Sequence, residues 1–206
     1  CDGSDIDDII VFKKDGSMQV VKVGSKVFVG KGIIHCAVFK KKDERTIYNM
    51  IYKDGKSGTS MMKRFPVKSI TRGKDYGLTK SEKGSKVLYF TANPNGEAET
   101  VTVHLKKLAK LEALKIDFDF AELAIKGKGS GGNIVTKKAV RKVELKSAGI
   151  STLSARKIWF DDTVQRLNVD ERGELLGAFK ADDKILTIQQ SGEIELKSFD
   201  ISNHFD

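Results

Sequence analysis

Gly127, Gly129 and Gly132 fall at the G-x-G-x-x-G spacing of a dinucleotide-binding turn. That turn works only between a strand and a helix, where backbone N–H groups and the helix N-terminus meet a pyrophosphate. Here the following residues, Asn133-Ile134-Val135-Thr136 and Val143-Glu144-Leu145, are rich in β-branched types and show no i, i+3, i+4, i+7 stripe. The acid expected about twenty residues on is replaced by Leu153-Ser154-Ala155-Arg156-Lys157. Residues 122–145 therefore read as a hairpin, and no G-x-x-x-x-G-K-[ST] loop supplies an ATP site. His35, His104 and His204 stand alone, without Cys or His at metal-ligand spacing. Asp161-Asp162 and Asp182-Asp183 are neighbours that point to opposite faces of a strand, so they read as turn acids rather than a catalytic pair. The aspartates of "DIDD" (residues 5–8) and "DFDF" (residues 117–120) read as strand entries. These readings give the chain no catalytic residue, no metal site and no cofactor of its own.

The elements that position these side chains are short strands. Nineteen glycines and only two prolines, Pro66 and Pro94, make turns from residues that accept positive φ. With 206 residues and 39% apolar composition the chain can build a core. It contains no apolar run long enough to span a bilayer and no basic-then-apolar leader at residue 1, so neither membrane insertion nor secretion is expected. Cys1 and Cys36 form no disulfide framework, which suits a reducing cytoplasm, and a start at Cys1 suggests a piece of a longer protein.

A repeat runs along the chain: "IIVFKKDGSMQVVKV" (9–23), "YNMIYKDGKSGTSMMKRFPVKSI" (48–70), "VLYFTANPNGEAETVTVHL" (87–105), "ELAIKGKGSGGNIVTKKAVRKVEL" (122–145) and "ILTIQQSGEIELKSF" (185–199). Each couples an apolar strand, a glycine turn and a second, alternating strand. Gly16, Gly55, Gly96 and Gly131 follow one another at 39, 41 and 35 residues, and Gly192 lies 61 further on. A period near forty is the size of one four-stranded propeller blade. Residues 105–115, "LKKLAKLEALK", fit either a short amphipathic helix or an extended linker.

Charge is distributed unevenly. Residues 159–206 carry a net −6 and residues 1–158 a net +15, so a polyanion would meet the first three-quarters. The cations gather as Lys40, Lys41, Lys42 and Arg45; as Lys63, Arg64, Lys68 and Arg72; and as Lys126, Lys128, Lys137, Lys138, Arg141 and Lys142, with Lys31 between two glycines. If repeated hairpins come round to one rim, these clusters make a continuous track for duplex phosphates, which give affinity without reading bases. Phe28, Phe39, Tyr52, Phe65, Tyr89, Phe90 and Phe160 lie mostly within apolar runs and read as core rather than as a base-stacking surface.

The stretches "IIVFKKDGSMQVVKV", "VLYFTANPNGEAETVTV" and "ILTIQQSGEIELKSF", with "GKGI" at 30–33, resemble the repeats of the C-terminal domain of bacterial type IIA topoisomerase A subunits. "IKGKGSGGNIVTKKAVRKVEL" and "RKIWFDDTVQRLN" are most similar to those of the topoisomerase IV type. The resemblance implies an all-β β-pinwheel over residues 1–206, with about five four-stranded blades that exchange strands with their neighbours. It further implies a non-catalytic domain that bends double-stranded DNA along a basic rim and directs strand-passage substrate choice. The active-site tyrosine, metal site and ATPase would lie outside this chain. Its partners would be the parent's N-terminal breakage-reunion domain and the B subunit in a heterotetramer, in a bacterial cytoplasm near the nucleoid. The gyrase box is not intact: Gly30-Lys31-Gly32 is preceded by Val27-Phe28-Val29, which favours bending over full chiral wrapping. The alternative is a β-propeller interaction module that binds an acidic protein.

Overall fold

A computed structural model describes residues 8–24, 26–81, 83–107, 114–180, 183–201 and 203–205. Among these residues, apart from one 3-10 turn, Phe120–Glu122, the regular elements are strands. They are β1 (Asp8–Lys13), β2 (Ser17–Lys22), β3 (Ile33–Val38), β4 (Ile47–Lys53), β5 (Ser60–Pro66), β6 (Asp75–Gly77), β7 (Lys86–Asn93) and β8 (Glu97–Leu105). There follow β9 (Lys115–Asp119), β10 (Asn133–Thr136), β11 (Val140–Ser151), β12 (Arg156–Asp161), β13 (Arg166–Asn168), β14 (Glu174–Phe179), β15 (Lys184–Ile188) and β16 (Ile194–Ser198).

The strands form five small sheets, ordered β3-β1-β2-β6, β10-β5-β4-β7, β11-β8-β9, β13-β12-β14 and β15-β16. One scheme underlies the first four: a hairpin, with the next strand of its module added beside the hairpin's first strand. Thus β3 pairs with β1, β7 with β4 and β14 with β12, all antiparallel. The fourth strand is borrowed from the following module. β6, which comes after the β4–β5 hairpin in the chain, pairs with β2, and β10, which comes after β9, pairs with β5. This is the exchange of strands between neighbours that a pinwheel demands. Two of the five sheets have four strands among the described residues.

Two of the expected hairpins dissolve in this scheme. The turn at residues 94–96 joins β7 in the second sheet to β8 in the third, and the glycine loop of residues 126–132 leads from Ile125, bridged to Arg64, into β10, which pairs with β5 of the second sheet. The glycine and proline signals mark a reversal of the chain correctly, but the strands on either side find partners elsewhere. Hairpins β1–β2, β4–β5 and β15–β16 form as expected. Of residues 105–115, residues 108–113 lie outside the described residues; Leu105 ends β8, Lys115 begins β9, and the Leu105 N–H donates to the Leu114 carbonyl at 2.8 Å.

The chain divides into two compact units, Cys1–Gly149 and Ile150–Asp206. In the first, the second sheet is sandwiched. Tyr48, Met50, Tyr52 and Phe65 pack with Ile10, Phe12, Met18 and Val20 of the first sheet. From the opposite face, Ile51 and Met62 pack with Val101, Val103, Leu105 and Phe120 of the third sheet's module. β4 is accordingly buried along six consecutive residues, so its sequence is a continuous run, "IYNMIY", rather than an alternation. The second unit has its own core of Ile158, Leu167 and Phe205, with Phe160, Phe179, Ile185 and Phe199 packed against it.

Candidate functional site

β5 carries the first correction to the expected cationic surface. Lys63 and Arg64, read from the sequence as phosphate contacts, are 3% and 1% exposed. A strand between two sheets has no solvent face, so both cations turn to internal acceptors. The Lys63 ammonium donates to the carbonyls of Leu78, Lys128 and Ser130 at 2.8, 2.6 and 2.5 Å. Burial pushes its pKa down to about 8. The glycine-rich loop of residues 126–132 thus has two carbonyls directed at a lysine, and strand β10 follows it. Gly132 is required there: its φ is +82°, and a Cβ would lie 2.4 Å from the Met62 carbonyl oxygen.

Arg64 donates from Nε to Asn49 Oδ1 at 3.0 Å and from a terminal nitrogen to the Gly96 carbonyl at 2.9 Å. Asn49 in turn donates to Glu99 Oε2 at 2.7 Å, and the Thr91 hydroxyl donates to Glu99 Oε1 at 2.5 Å. Burial lowers the guanidinium's pKa, opposed by the nearby Glu99 and Asp119 carboxylates. This network spans the second and third sheets and fixes the turn at residues 94–96. It is structural, and it removes both residues from any surface track.

The remaining expected cations fall at opposite ends of the strands. At the end where β1 begins lie exposed Lys40, Lys41 and Lys42, and Asp43 caps the start of the segment that carries Arg45. Arg45 donates to Asn95 Oδ1, Lys68 pairs with Glu44 at 2.9 Å, and Arg72 grips Asp8 through two contacts of 2.8 and 2.9 Å. Lys128 reaches the Ser69 carbonyl at 2.7 Å and sits over the Tyr76 ring, while the Lys126 N–H donates to the Arg64 carbonyl. Much of this group is therefore engaged within the fold.

At the other end, where the β1–β2 and β4–β5 turns lie, Lys137 and Lys138 are exposed just past β10, because Thr136 is in register with Ser60 beside Lys53. The two ends of a seven-residue strand stand about 20 Å apart. The Ala139 carbonyl accepts from the Lys106 N–H, which places Lys106 and Lys107 next to the start of β11 with its exposed Arg141 and Lys142. Lys142 pairs with Glu144, which also holds His104 Nε2 at 2.6 Å. Lys31 belongs to this end too, since the Gly32 carbonyl accepts from the Lys14 N–H.

The turn end also gathers lysines that runs and clusters in the sequence did not single out. Lys53 is in register with Lys86, the Val87 N–H donates to the Lys14 carbonyl, and the Gly55 N–H donates to Ser85 Oγ. The Tyr52 hydroxyl donates to the Gly131 carbonyl and accepts from the Lys80 N–H. Lys14, Lys53, Lys56, Lys80, Lys83 and Lys86 are all exposed and, with Lys137, Lys138, Lys106 and Lys107, form one connected stretch. The available signal was positional: lysines flank the Asp54-Gly55 turn and recur at every third residue from 80 to 86. Asp54, between Lys53 and Lys56, turns inward instead: it is 2% exposed and accepts from the Ser57 N–H and hydroxyl, which hold its pKa down to about 2 and keep it ionised.

A family model, described as the topoisomerase C-terminal domain of Bacteroidota, matches residues 2–148 and 166–206. The chain belongs to that family. This topoisomerase C-terminal domain is matched on both compact units. A crystal structure of the C-terminal domain of DNA topoisomerase IV is similar at a TM-score of 0.46, with 12% identity, over 94% of this chain and 70% of that one. No curated protein matches the sequence. No helix among the described residues is long and apolar enough to cross a membrane.

Proposed function

We propose that this topoisomerase C-terminal domain binds double-stranded DNA without sequence preference, bends it, and so biases which duplex its parent enzyme passes. The observation that carries this reading is the connected lysine stretch at the turn end of the first unit. It has the composition of a phosphate-contact surface: many flexible cations and, among the described residues, few exposed carboxylates and no recognition helix for a major groove. The family supports a place within a larger type IIA enzyme, whose breakage-reunion domain and B subunit are the proposed partners. The cations at the opposite end of the strands, Lys40, Lys41 and Lys42 foremost, offer a second place for the duplex as it bends.

The test is fluorescence anisotropy on random-sequence duplexes over a salt series. About six phosphate contacts give a log-log slope near −5 and cost roughly a thousandfold in affinity between 50 and 200 mM salt. Charge reversal at Lys137, Arg141 and Lys142 together should weaken binding without unfolding the domain. Salt-independent affinity, or no affinity for duplex, would end the DNA reading in favour of a protein partner.

A further inference from the structure

Phe28 was expected in the core and is instead 82% exposed, the highest value among the exposed large apolar side chains of the described residues. It projects from the segment that joins β2 to β3. The stem behind it is held firmly. Gln19, itself 8% exposed, donates from Nε2 to the Val29 carbonyl at 2.7 Å. The Lys14 N–H donates to the Gly32 carbonyl at 2.8 Å. Gly30 and Gly32 take φ of +94° and +71°, and a Cβ at Gly30 would sit 3.3 Å from the side chain of Lys13, which is itself tied to Asp75. The backbone is thus fixed on one side of an aromatic ring that contributes almost no burial to the fold.

The surroundings of Phe28 say what the ring is for. Within its own segment, residues 23–32, the chain contains no acidic residue and Lys26 and Lys31 flank Phe28, while Asp75, in register with the Gln19 that holds Val29, is taken up by Lys13. A ring held in water between cations suits a ligand that is at once polyanionic and able to accept an apolar side chain between flat, stacked groups. A duplex has both properties: phosphates for the lysines and base steps that open to an apolar wedge, which kinks the helix.

We propose that Phe28 is a wedge that enters a base step of the bound duplex and localises the bend. This rests on the DNA reading above and adds a residue that phosphate contacts alone do not call for. The experiment compares the chain with F28A and F28W on two duplexes, one perfectly paired and one with a single central mismatch flanked by 2-aminopurine. The mismatch lowers the unstacking cost, so the wild type should prefer that duplex by about tenfold, within the range aromatic stacking supplies, and should brighten the 2-aminopurine on binding. F28A should lose both the preference and the brightening while keeping its salt slope and melting temperature; F28W should keep both. If F28A behaves as the wild type, or if the wild type shows neither preference nor brightening while still binding with a steep salt slope, the wedge is refuted and the DNA reading stands. Loss of all duplex binding by the wild type would remove that reading and the wedge with it.

Discussion

Replacing Arg64 with Met tests the claim that β5 cations are internal. Methionine fills much of the same volume without a charge, and Arg64 is only 1% exposed, so no surface interaction is altered. Two hydrogen bonds disappear, leaving Asn49 Oδ1 and the Gly96 carbonyl without that donor. At Asn49 Oδ1, a buried acceptor, the loss costs about 1–3 kcal/mol. Glu99, 4% exposed, also loses its nearby cation, and breaking a buried pair from one side costs about 3–5 kcal/mol in all. For a unit of this size each kcal/mol lowers the melting temperature by about 2–4 °C, so scanning calorimetry should show a fall of roughly 10–15 °C. Adding E99Q removes the stranded charge. The double variant should be less destabilised than the sum of the singles, with a coupling of about 1–3 kcal/mol. At 20 °C the folded fraction of R64M should bind duplex as the wild type does. A melting temperature within 3 °C of wild type, or strict additivity in the cycle, would show that the guanidinium does not compensate Glu99 and that the network has been misread.

Lys63 links stability to pH in a defined direction. Its folded pKa of about 8 lies below its ordinary value of 10.5, so between those values the unfolded chain holds the extra proton and stability rises with pH, by at most about 3 kcal/mol; urea unfolding at pH 7.5 and 9.5 should show this component in the difference between wild type and K63M. Asp54 acts at the acid end: its folded pKa of about 2 lies below 3.8, so its stabilisation is present above about pH 4 and is lost as pH falls towards 2, and D54N should flatten that limb of an acid titration followed by circular dichroism. Gly132→Ala sets a methyl against the Met62 carbonyl at positive φ and should cost about 2 kcal/mol or more, with hydrogen exchange speeding at β10 and β5. Reversing Lys53, Lys86 and Lys137 should reduce duplex affinity more than reversing Lys40, Lys41 and Lys42, because the turn end is the longer lysine stretch; equal losses would shift the primary contact to both ends.

The strand content and most turns were legible because they depend on local chemistry. Lys-Asp-Gly at residues 14–16 and 53–55 tells both its type of reversal and its place between paired strands. Asn93-Pro94-Asn95-Gly96 carries an equally strong turn signal, yet it bridges two sheets, since partner choice depends on which faces of β7 and β8 are buried and by what. The same non-locality hid the fate of Lys63 and Arg64. Beside Lys68 and Arg72 they look like one surface patch, and only the sheets packed on both faces of β5 convert the first pair into internal donors. Phe28 shows the converse: an apolar triplet that composition assigns to the interior is held outside by glycines and a single glutamine bond.

The borrowed strands bear on how such a molecule can change. Because β6 completes a sheet whose hairpin precedes it by a whole module, and β10 does the same one step later, the modules are interlocked rather than arrayed as cassettes. Deleting the stretch from β4 to β7 would strip the first sheet of its edge as well as removing the second, and a proteolytic cut between β5 and β6 would loosen two sheets at once. The last module repeats the pattern through the segment after β16, where His204 bridges Arg166 of β13 and the Phe205 N–H donates to the Gln165 carbonyl, so trimming that segment is expected to loosen the fourth sheet as well.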